Sequence, residues 1–366
     1  MEVTAAIVRG ESKPFEITTL ELDDLRADEV RVRLVATGVC HTDAIVRDQV
    51  YPTPLPAVLG HEGAGIVEAV GSAVTTVAPG DAVVLSANSC GTCESCLTGR
   101  LSYCTDLFNR NFGGSRADGT TAFSEGGKRV SSHFFGQSSF ASHVNAVERS
   151  VVKVDADLPL ELLGPLGCGI QTGAGAVLNS LKVPAGSSFV VFGTGAVGCA
   201  ALMAAVVAGA TTIVAVDIVD SRLELAATLG ATHVINSRLQ DVAQEITRIT
   251  GGRGVDFALD TTGIPAVLRQ GADVLAIGGT VALVGAPAPG TEVSFEIGAS
   301  LTKGWHFRTI IEGDSVPQVF IPKLITLWRQ GRFPFDKLTK FFAFAQINEA
   351  FDASASGETI KPIVTF

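Results

Sequence analysis

Residues 189–198 read FVVFGTGAVG, and this stretch decides the fold of the second half of the chain. An apolar run ends at a glycine, and glycines recur at Gly193, Gly195 and Gly198 before an alanine-rich segment. In a dinucleotide-binding turn the first glycine permits the tight turn, the second lets the backbone approach a pyrophosphate, and the third lets helix pack against strand. The phosphates then meet the positive end of the helix. The stretch therefore predicts a nucleotide-binding turn, with a glycine-rich turn that binds nothing as the alternative.

Short apolar strands alternate with helical patterns around this turn. The strand-like segments are SSFVVFG, TTIVAVD, THVIN, GVDFALD and TVALVG, and SRLELAATLG and LQDVAQEITRITG between them have helical patterns. This alternation predicts a parallel sheet covered by helices on both faces. The second strand ends at Asp217, whose carboxylate would accept hydrogen bonds from adenosine ribose hydroxyls and repel a 2′-phosphate. Asp217 thus favours NAD over NADP, although the nearby Arg222 is a residue type that accommodates a phosphate.

Composition excludes several classes of protein. Hydrophobic residues form 46% and charged residues 17% of the 366 residues, which predicts large cores and two or three domains. A formal charge of −10 without long runs of one sign argues against a nucleic-acid partner. The stretch MEVTAAIVRGESKPFEI lacks the pattern of a secretory signal, so a cytoplasmic enzyme with reduced thiols is expected.

The uncharged run from Val183 to Val216 is long enough to cross a bilayer. Its glycines, and its change from β-branched to alanine-rich composition and back, favour a buried strand-helix-strand unit instead. No membrane partner is expected. The first 150 residues contain short β-like stretches such as VRVRLVATGV and GAGIVEAVG, which predict a mostly β domain, and residues 105–140 read as a long polar connection.

Four of the seven cysteines lie within residues 90–104, CGTCESCLTGRLSYC. Four thiolates fill the tetrahedral coordination sphere of zinc and leave no open position, so such a site braces a loop and performs no chemistry. A redox pair is the alternative, because the CxxC spacing occurs twice. Cys90, Cys93, Cys96 and Cys104 are therefore predicted to hold a structural zinc ion.

Three further candidate ligands are spread along the chain: Cys40 in GVCHTD, His61 in GHEGAG and Cys168 in GPLGCGIQT. Two cysteines and one histidine form a known catalytic zinc set with an open fourth position. Taken singly, each such residue is more often an ordinary buried cysteine or a hydrogen-bonded histidine than a zinc ligand. The seventh cysteine, Cys199, is interpreted as a small core residue.

These motifs, in this order along essentially the whole chain, resemble the zinc-dependent medium-chain alcohol dehydrogenases. Within that family, RDQVYPTPLP, FFGQSSF, LPLELLGPLGCGIQTGAGAV and RQGRFPFDKL are most similar to the aryl-alcohol (benzyl alcohol) and geraniol-type enzymes. The resemblance implies an α/β protein with two domains. A GroES-like, mostly β catalytic domain with a structural zinc lobe would cover residues 1–169 and 306–366, and a Rossmann domain with a doubly wound parallel sheet would bind NAD through residues 170–305.

The resemblance also implies roles for individual residues. Catalytic zinc would be held by Cys40, His61 and Cys168, with Glu62 beside it as a transient ligand. Thr42 would take the alcohol proton, and Asp43 would orient His61. The residues expected at the coenzyme are His41, Thr172, Gly193, Gly195, Val197, Gly198, Asp217, Arg222 and Lys361, of which His41 and Lys361 match phosphate contacts. The residues expected to line the substrate pocket are Tyr51, Phe134, Phe135, Val284 and Ile310, with core packing as the alternative for the phenylalanine pair.

One departure from the family pattern concerns proton release. The relay histidine of the liver-type enzymes is replaced by Ile45, so the proton would leave Thr42 by another route. The expected activity is reversible oxidation of aromatic or allylic primary alcohols to aldehydes with NAD and two zinc ions per subunit, in a homodimer or homotetramer. The alternatives are a glutathione-dependent formaldehyde dehydrogenase or an NADPH-dependent aldehyde reductase on the same scaffold, and a non-enzymatic nucleotide-binding protein.

Overall fold

The computed structural model describes every residue from Met1 to Phe366. Its strands, numbered along the chain, are β1 Glu2–Val8, β2 Glu16–Leu22, β3 Glu29–Gly38, β4 Ala57–Val58, β5 Gly63–Val70, β6 Ala82–Leu85, β7 Phe123–Glu125, β8 Lys128–Val130, β9 His143–Val147, β10 Val151–Val154, β11 Ser188–Phe192, β12 Thr212–Asp217, β13 His233–Asn236, β14 Val255–Asp260, β15 Leu275–Leu283, β16 His306–Thr309, β17 Thr339–Ala343 and β18 Lys361–Thr365.

The α-helices are α1 His41–Arg47, α2 Glu94–Leu97, α3 Leu107–Phe112, α4 Leu160–Leu163, α5 Gly169–Gly175, α6 Ala196–Ala208, α7 Asp220–Thr228, α8 Val242–Ile249, α9 Pro265–Asp273, α10 Ile297–Lys303, α11 Pro317–Arg329 and α12 Ile347–Ser356. Short 3-10 turns include Phe134–Gly136, Gly164–Gly167 and Glu312–Asp314. A π-helical segment, Ala176–Leu181, follows α5.

The chain divides into two compact units. The first unit contains residues 1–168, 316–325 and 336–366, and the second contains residues 169–315 and 326–335. The predicted return to the first unit at residue 306 therefore comes too early. The physical reason is β16, which extends the parallel sheet of the second unit by pairing with β15 and was not recognised as a strand in the sequence.

The first unit is mostly β. One of its sheets has the order β4-β1-β2-β7-β8, and the other has the order β10-β6-β5-β3-β18-β17 with β9 also paired to β3. The central strand β3 alternates as VRVRLV, so Val30, Val32 and Leu34 are buried in the core. The register of the β3–β5 pair places Thr37 opposite Gly63. The residues just after β3 and just before β5 therefore lie at the same end of the sheet.

The second unit is a doubly wound α/β sheet with the order β13-β12-β11-β14-β15-β16, and all its strand pairs are parallel. Segment 183–216 forms β11, α6 and β12, as predicted, and its buried strands are apolar on both faces. These two architectures confirm the predicted fold class. None of the helices has the length and apolar character that a bilayer crossing requires.

Candidate active site

Cys40, His61, Glu62 and Cys168 meet in the first unit, and we call this group the open centre. One ligand-type atom from each residue lies within 4.8 Å of the others. Cys40 immediately precedes α1, and His61 lies just before β5. The pairing of β3 with β5 brings these two residues to the same end of the sheet. There the Gly38 amide donates to the Glu62 carbonyl at 3.0 Å. Cys168 follows the 3-10 turn Gly164–Gly167. Three distant segments of sequence therefore converge, as the resemblance predicts.

Asp43 organises two members of the open centre. Its Oδ1 atom lies 2.9 Å from His61 Nδ1 and accepts the Gly60 amide at 3.0 Å, while Oδ2 accepts the Cys40 amide at 3.1 Å. Asp43 is fully buried, so these partners hold a carboxylate that water does not reach. With Nδ1 donating to Asp43, the lone pair of His61 lies on Nε2.

The donor set of the open centre fits zinc. His61 Nε2 is buried and has no hydrogen-bond partner, although buried polar atoms are nearly always paired. A hydrogen bond with Cys168 and the nearby charges of Lys361 and His61 hold the pKa of the Cys40 thiol well below its ordinary value despite burial. A thiolate, an unpaired imidazole nitrogen and a second cysteine are the ligands of catalytic zinc sites.

Glu62 is paired with Lys361 behind this centre. Lys361 Nζ donates to both carboxylate oxygens at 2.9 Å and to the Val39 carbonyl at 3.1 Å, and both side chains are buried. Burial raises the pKa of Glu62 to about 7, although Lys361 acts to lower it. An ammonium group has three donors, and all three are used here. To make the phosphate contact expected of it, Lys361 would therefore have to give up one of these three hydrogen bonds.

The residues of α1 beside the open centre differ in exposure. Thr42 is half-buried, and its Oγ1 lies 3.8 Å from Cys40 Sγ. His41 begins the helix and is exposed, and Ile45 is half-buried on the next turn. The hydroxyl of Thr42 is thus within reach of a group bound at the open centre, whereas Ile45 offers no atom that can carry a proton.

Cys90, Cys93, Cys96 and Cys104 form the cysteine lobe, in which the four sulfur atoms lie within 4.8 Å of one another. Backbone amides of Thr92 and Cys93 donate to Cys90 Sγ at 3.4 and 3.3 Å, and together with the Thr92 hydroxyl they lower the pKa of Cys90 to about 5. None of the four cysteines is in a disulfide. Burial raises the pKa of Cys104 to about 11. Four cysteine sulfur atoms at this separation fit a closed zinc site.

The glycine turn of the second unit has the geometry predicted for it. Gly193 has a φ of +86°, in the left-handed region that glycine adopts without strain. A Cβ on Gly198 would collide with the Gly193 carbonyl, whereas nothing lies within 4 Å of a Cβ built on Gly195. The turn therefore has no space for a side chain at Gly198, where α6 packs against β11, but it has free space beside Gly195. Val197 lies in the first turn of α6. This shape fits a backbone cradle for phosphates.

Asp217 lies at the end of β12 and is nearly buried. Its Oδ2 accepts the amide and the hydroxyl of Thr194 at 2.7 Å each, and its Oδ1 accepts the Ile218 amide at 2.7 Å. These bonds tie the carboxylate to the glycine turn. Arg222, on α7, has a buried Nε without a partner. Cys199 is fully buried and donates to the Thr194 carbonyl at 3.1 Å, and burial raises the pKa of its thiol to about 12.

The remaining predicted residues of the second unit lie at strand and helix ends. Val284 follows β15 and Ile310 follows β16, where the Ile310 amide donates to the Leu283 carbonyl at 2.9 Å. Both are thus at the carboxyl edge of the parallel sheet, where ligands bind in such folds. Thr172 is buried in α5, four residues after Cys168.

Aromatic rings surround His61. Phe135 stacks on the imidazole with ring centroids 4.5 Å apart, and Phe134 meets it edge-on at 5.3 Å. Phe112 contacts both phenylalanines, at 5.8 Å and 5.3 Å, and Tyr51 at 5.8 Å. Both Phe134 and Phe135 are buried, as core packing also predicts. Both rings are therefore core residues that also contact a residue of the open centre.

Comparisons with known proteins agree with this geometry. Residues 26–156 match the alcohol dehydrogenase GroES-like domain, and residues 196–327 match the zinc-binding dehydrogenase family. A geraniol dehydrogenase of Castellaniella defragrans is 47% identical over 364 residues, which cover 99% of this chain and 97% of that protein. The chain belongs to the zinc-dependent medium-chain alcohol dehydrogenases.

Two solved structures of this family are similar to the chain throughout. The benzyl alcohol dehydrogenase of Acinetobacter calcoaceticus is 52% identical, with a TM-score of 0.97 over 100% of this chain and 99% of that one. An alcohol dehydrogenase zinc-binding domain protein of Burkholderia ambifaria is 58% identical, with a TM-score of 0.98 and the same coverage. The predicted family and its zinc dependence are confirmed, and the chain is an alcohol dehydrogenase.

Two residues near the open centre of this alcohol dehydrogenase were not predicted from the sequence. Phe112 was read as part of a polar connection, although it ends α3 and joins Tyr51 to the phenylalanine pair. Gln137 is buried and contacts the backbone at His61. The signal for Gln137 was a polar side chain between Phe134–Phe135 and Phe140, since an amide in an apolar stretch must find hydrogen-bond partners.

Proposed function

We propose that this alcohol dehydrogenase oxidises aromatic or allylic primary alcohols to aldehydes, reversibly, by hydride transfer to NAD⁺. The observation that carries the proposal is the aromatic wall at the open centre, where Phe135 stacks on His61 at 4.5 Å. Aromatic pairs add about 0.5–1.5 kcal/mol beyond the area they bury, which favours a flat ring or conjugated chain over a small alkyl group. Relatives whose names specify geraniol and benzyl alcohol support the same class of substrate.

The roles proposed for the open centre follow from its contacts. Cys40, His61 and Cys168 would hold the catalytic zinc ion, and Asp43 would keep Nε2 of His61 free to bind it. When bound, zinc supplies Lewis-acid stabilisation of the charge that develops on the alcohol oxygen, and NAD⁺ supplies the hydride acceptor. The cysteine lobe would hold the structural zinc ion.

Thr42 would accept the proton of the substrate hydroxyl. Its Oγ1 lies next to Cys40, at the edge of the open centre. Because Ile45 has no proton-carrying atom, the proton would leave Thr42 by a route that does not include this position. Glu62 would serve as a transient zinc ligand only if it separates from Lys361, which holds both of its oxygens.

NAD⁺ is proposed over NADP⁺ because of Asp217. Its buried carboxylate is fixed by Thr194 and the following backbone, and a fixed negative charge at this position disfavours a 2′-phosphate. The other proposed coenzyme contacts are His41, Thr172, Gly193, Gly195, Val197, Gly198, Arg222 and Lys361. Tyr51, Phe134 and Phe135 in the first unit are proposed substrate contacts, as are Val284 and Ile310 in the second.

The test measures NADH formation by zinc-replete protein with benzyl alcohol, geraniol and ethanol, each with NAD⁺ and NADP⁺. We expect fast turnover of benzyl alcohol or geraniol with NAD⁺ and little with ethanol. Phe135→Leu should lower kcat/KM for benzyl alcohol by about 2- to 10-fold, the equivalent of the aromatic term. Phe108→Leu, at an exposed ring three ring contacts away from His61, is the matched control. Equal or better turnover of ethanol would refute the aromatic specificity, and a preference for NADP⁺ would refute the role of Asp217.

The proposal extends to location and assembly. None of the seven cysteines is in a disulfide, which supports a cytoplasmic protein. The family resemblance supports a homodimer or homotetramer. Light scattering on the purified protein would distinguish these two forms from each other and from a monomer, and a monomeric mass would contradict the proposed assembly.

A further inference from the structure

Gln137 makes three hydrogen bonds in the buried region behind the open centre. Its Oε1 accepts the Gly63 amide at 3.1 Å, and its Nε2 donates to the carbonyls of His61 at 3.0 Å and Ser86 at 3.3 Å. Gln137 is 1% exposed. One buried side-chain amide thus binds the backbone of His61 and Gly63, on both sides of Glu62. His61 is a proposed zinc ligand, but Gln137 makes no hydrogen bond to its side chain.

Ser86 continues this connection to another ligand. Its hydroxyl donates to the Gly167 carbonyl at 2.6 Å, and Gly167 immediately precedes Cys168. Ser86 is fully buried, and a Cβ on Gly167 would collide with the Leu85 carbonyl. The backbone just after β6 and the turn before Cys168 are therefore in direct contact. Gln137 and Ser86 together form a bridge from the His61 backbone to the Cys168 backbone.

The turn that presents Gln137 is held in an unusual conformation. His133, Phe135 and Ser138 have φ values of +60°, +51° and +55°, which cost non-glycine residues of order 1–3 kcal/mol each and persist only where the surroundings enforce them. Ser138 Oγ accepts the Phe134 amide at 3.0 Å and donates to the Val58 carbonyl at 2.7 Å. His133 Nε2 lies 2.9 Å from buried Glu29. These contacts enforce the turn and aim the Gln137 amide inward.

We propose that Gln137 and Ser86 are positioning residues that hold the His61 and Cys168 backbones at the separation the metal ion requires. Partners of metal ligands change metal affinity by about 10–100-fold when they are removed, because a ligand that drifts no longer presents its atom at bonding distance. This inference rests on the zinc site proposed above. According to this inference, the metal affinity of the open centre depends on two residues that contact neither the metal ion nor the substrate.

The test uses the full chain loaded with Co²⁺ as the probe, because the visible spectrum of cobalt reports ligand geometry. The variants are Gln137→Met, Gln137→Glu and Ser86→Ala, and the matched control is Ser150→Ala. Ser150 is equally buried, but its hydroxyl has no hydrogen-bond partner. Competition with a chelator measures the affinity of each centre, and the cysteine lobe provides a second cobalt site in the same molecule. KM for NAD⁺ is measured beside kcat.

We expect Gln137→Met and Ser86→Ala to weaken metal binding at the open centre by about 10–100-fold and to change its cobalt spectrum. The lobe, KM for NAD⁺ and the Ser150→Ala control should stay as in the unaltered protein. Gln137→Glu should weaken the centre more than Gln137→Met, because a carboxylate can accept from Gly63 but faces two carbonyl oxygens without a proton to donate.

Two outcomes would overturn the proposal. Unchanged cobalt spectra and chelator resistance in Gln137→Met and Ser86→Ala would show that the bridge does not position the ligands. Equal loss at both centres would show a general effect on folding, and Ser86→Ala decides alone if the Gln137 variants do not fold. Absence of a cobalt spectrum from the open centre of the unaltered protein would instead refute the proposed function.

Discussion

The open centre and the cysteine lobe are both clusters of metal-ligand side chains, but they are assembled in opposite ways. The lobe takes all its sulfur atoms from residues 90–104, and backbone amides of its own loop donate to Cys90 Sγ. The open centre takes its atoms from three distant segments, and buried side chains from elsewhere hold them: Asp43, Lys361 and Gln137. The difference teaches that the lobe depends on local spacing, whereas the open centre depends on the complete packing of its unit.

The strongest way to test this contrast is to make the same change in both clusters. Cys168→Ser replaces a proposed sulfur ligand of the open centre with a hydroxyl that stays protonated at neutral pH. We expect loss of one zinc ion and a fall in kcat/KM of about 10³-fold or more, since a catalytic metal supplies several kcal/mol of charge stabilisation. Metal analysis and steady-state kinetics on the same sample check this. Near-normal activity in a protein that lacks that ion would contradict the role of the open centre.

The next largest effect is expected for Thr42→Ala, which removes a hydroxyl but no ligand. Both zinc ions should stay bound while turnover falls by about 10²–10⁴-fold, the usual contribution of a positioned acid or base. Thr42→Ser keeps the hydroxyl and is the control. The measurement is kcat with protiated and deuterated alcohol, so that chemistry is known to be rate-limiting. Full turnover by the alanine variant under that condition would disprove the proton transfer.

Asp43→Asn tests the side-chain support of the open centre. The amide cannot accept from Gly60, His61 and Cys40 as the carboxylate does, so zinc affinity at this centre should fall by about 10–100-fold, with the lobe unaffected. Asp48→Asn, at the end of the same helix and paired with Arg47, is the control. Chelator titration distinguishes them. If both variants bound zinc equally tightly, the hydrogen bonds of Asp43 would not contribute to the zinc affinity of the open centre.

The smallest effect on turnover is expected from Cys93→Ser in the lobe. We expect loss of the other zinc ion and a destabilisation of about 2 kcal/mol or more, which lowers the Tm by about 4–8 °C in domains of this size. The kcat of the folded protein should change less than about twofold. Calorimetry and active-site titration measure the two quantities separately. A collapse of kcat with an unchanged Tm would show that the lobe takes part in the chemistry.

The features that could be predicted from the sequence are those formed by residues close together along the chain. The spacing of Cys90 to Cys104 and of Gly193 to Gly198 defines each motif within a short loop, and both have the predicted geometry. The convergence of Cys40 with His61 was known only through the resemblance, because it depends on the Thr37–Gly63 register between β3 and β5. Gln137 and Phe112 were missed for the same reason, since their partners are set by tertiary contacts. The early boundary at residue 306 arose because the edge strand β16 has exposed residues without strong alternation.

The bond between Lys361 and the Val39 carbonyl spans 322 positions of the chain. Strand β18 also pairs with the end of β3, so the segment leading into Cys40 is held by residues translated after the whole second unit. Domains fold as units during synthesis, at about 5–20 residues per second. We therefore expect the cysteine lobe to bind its proposed metal ion early, while the chain is still growing. The open centre is incomplete until the late strand has been made, so we expect it to bind its metal ion only near the end of synthesis.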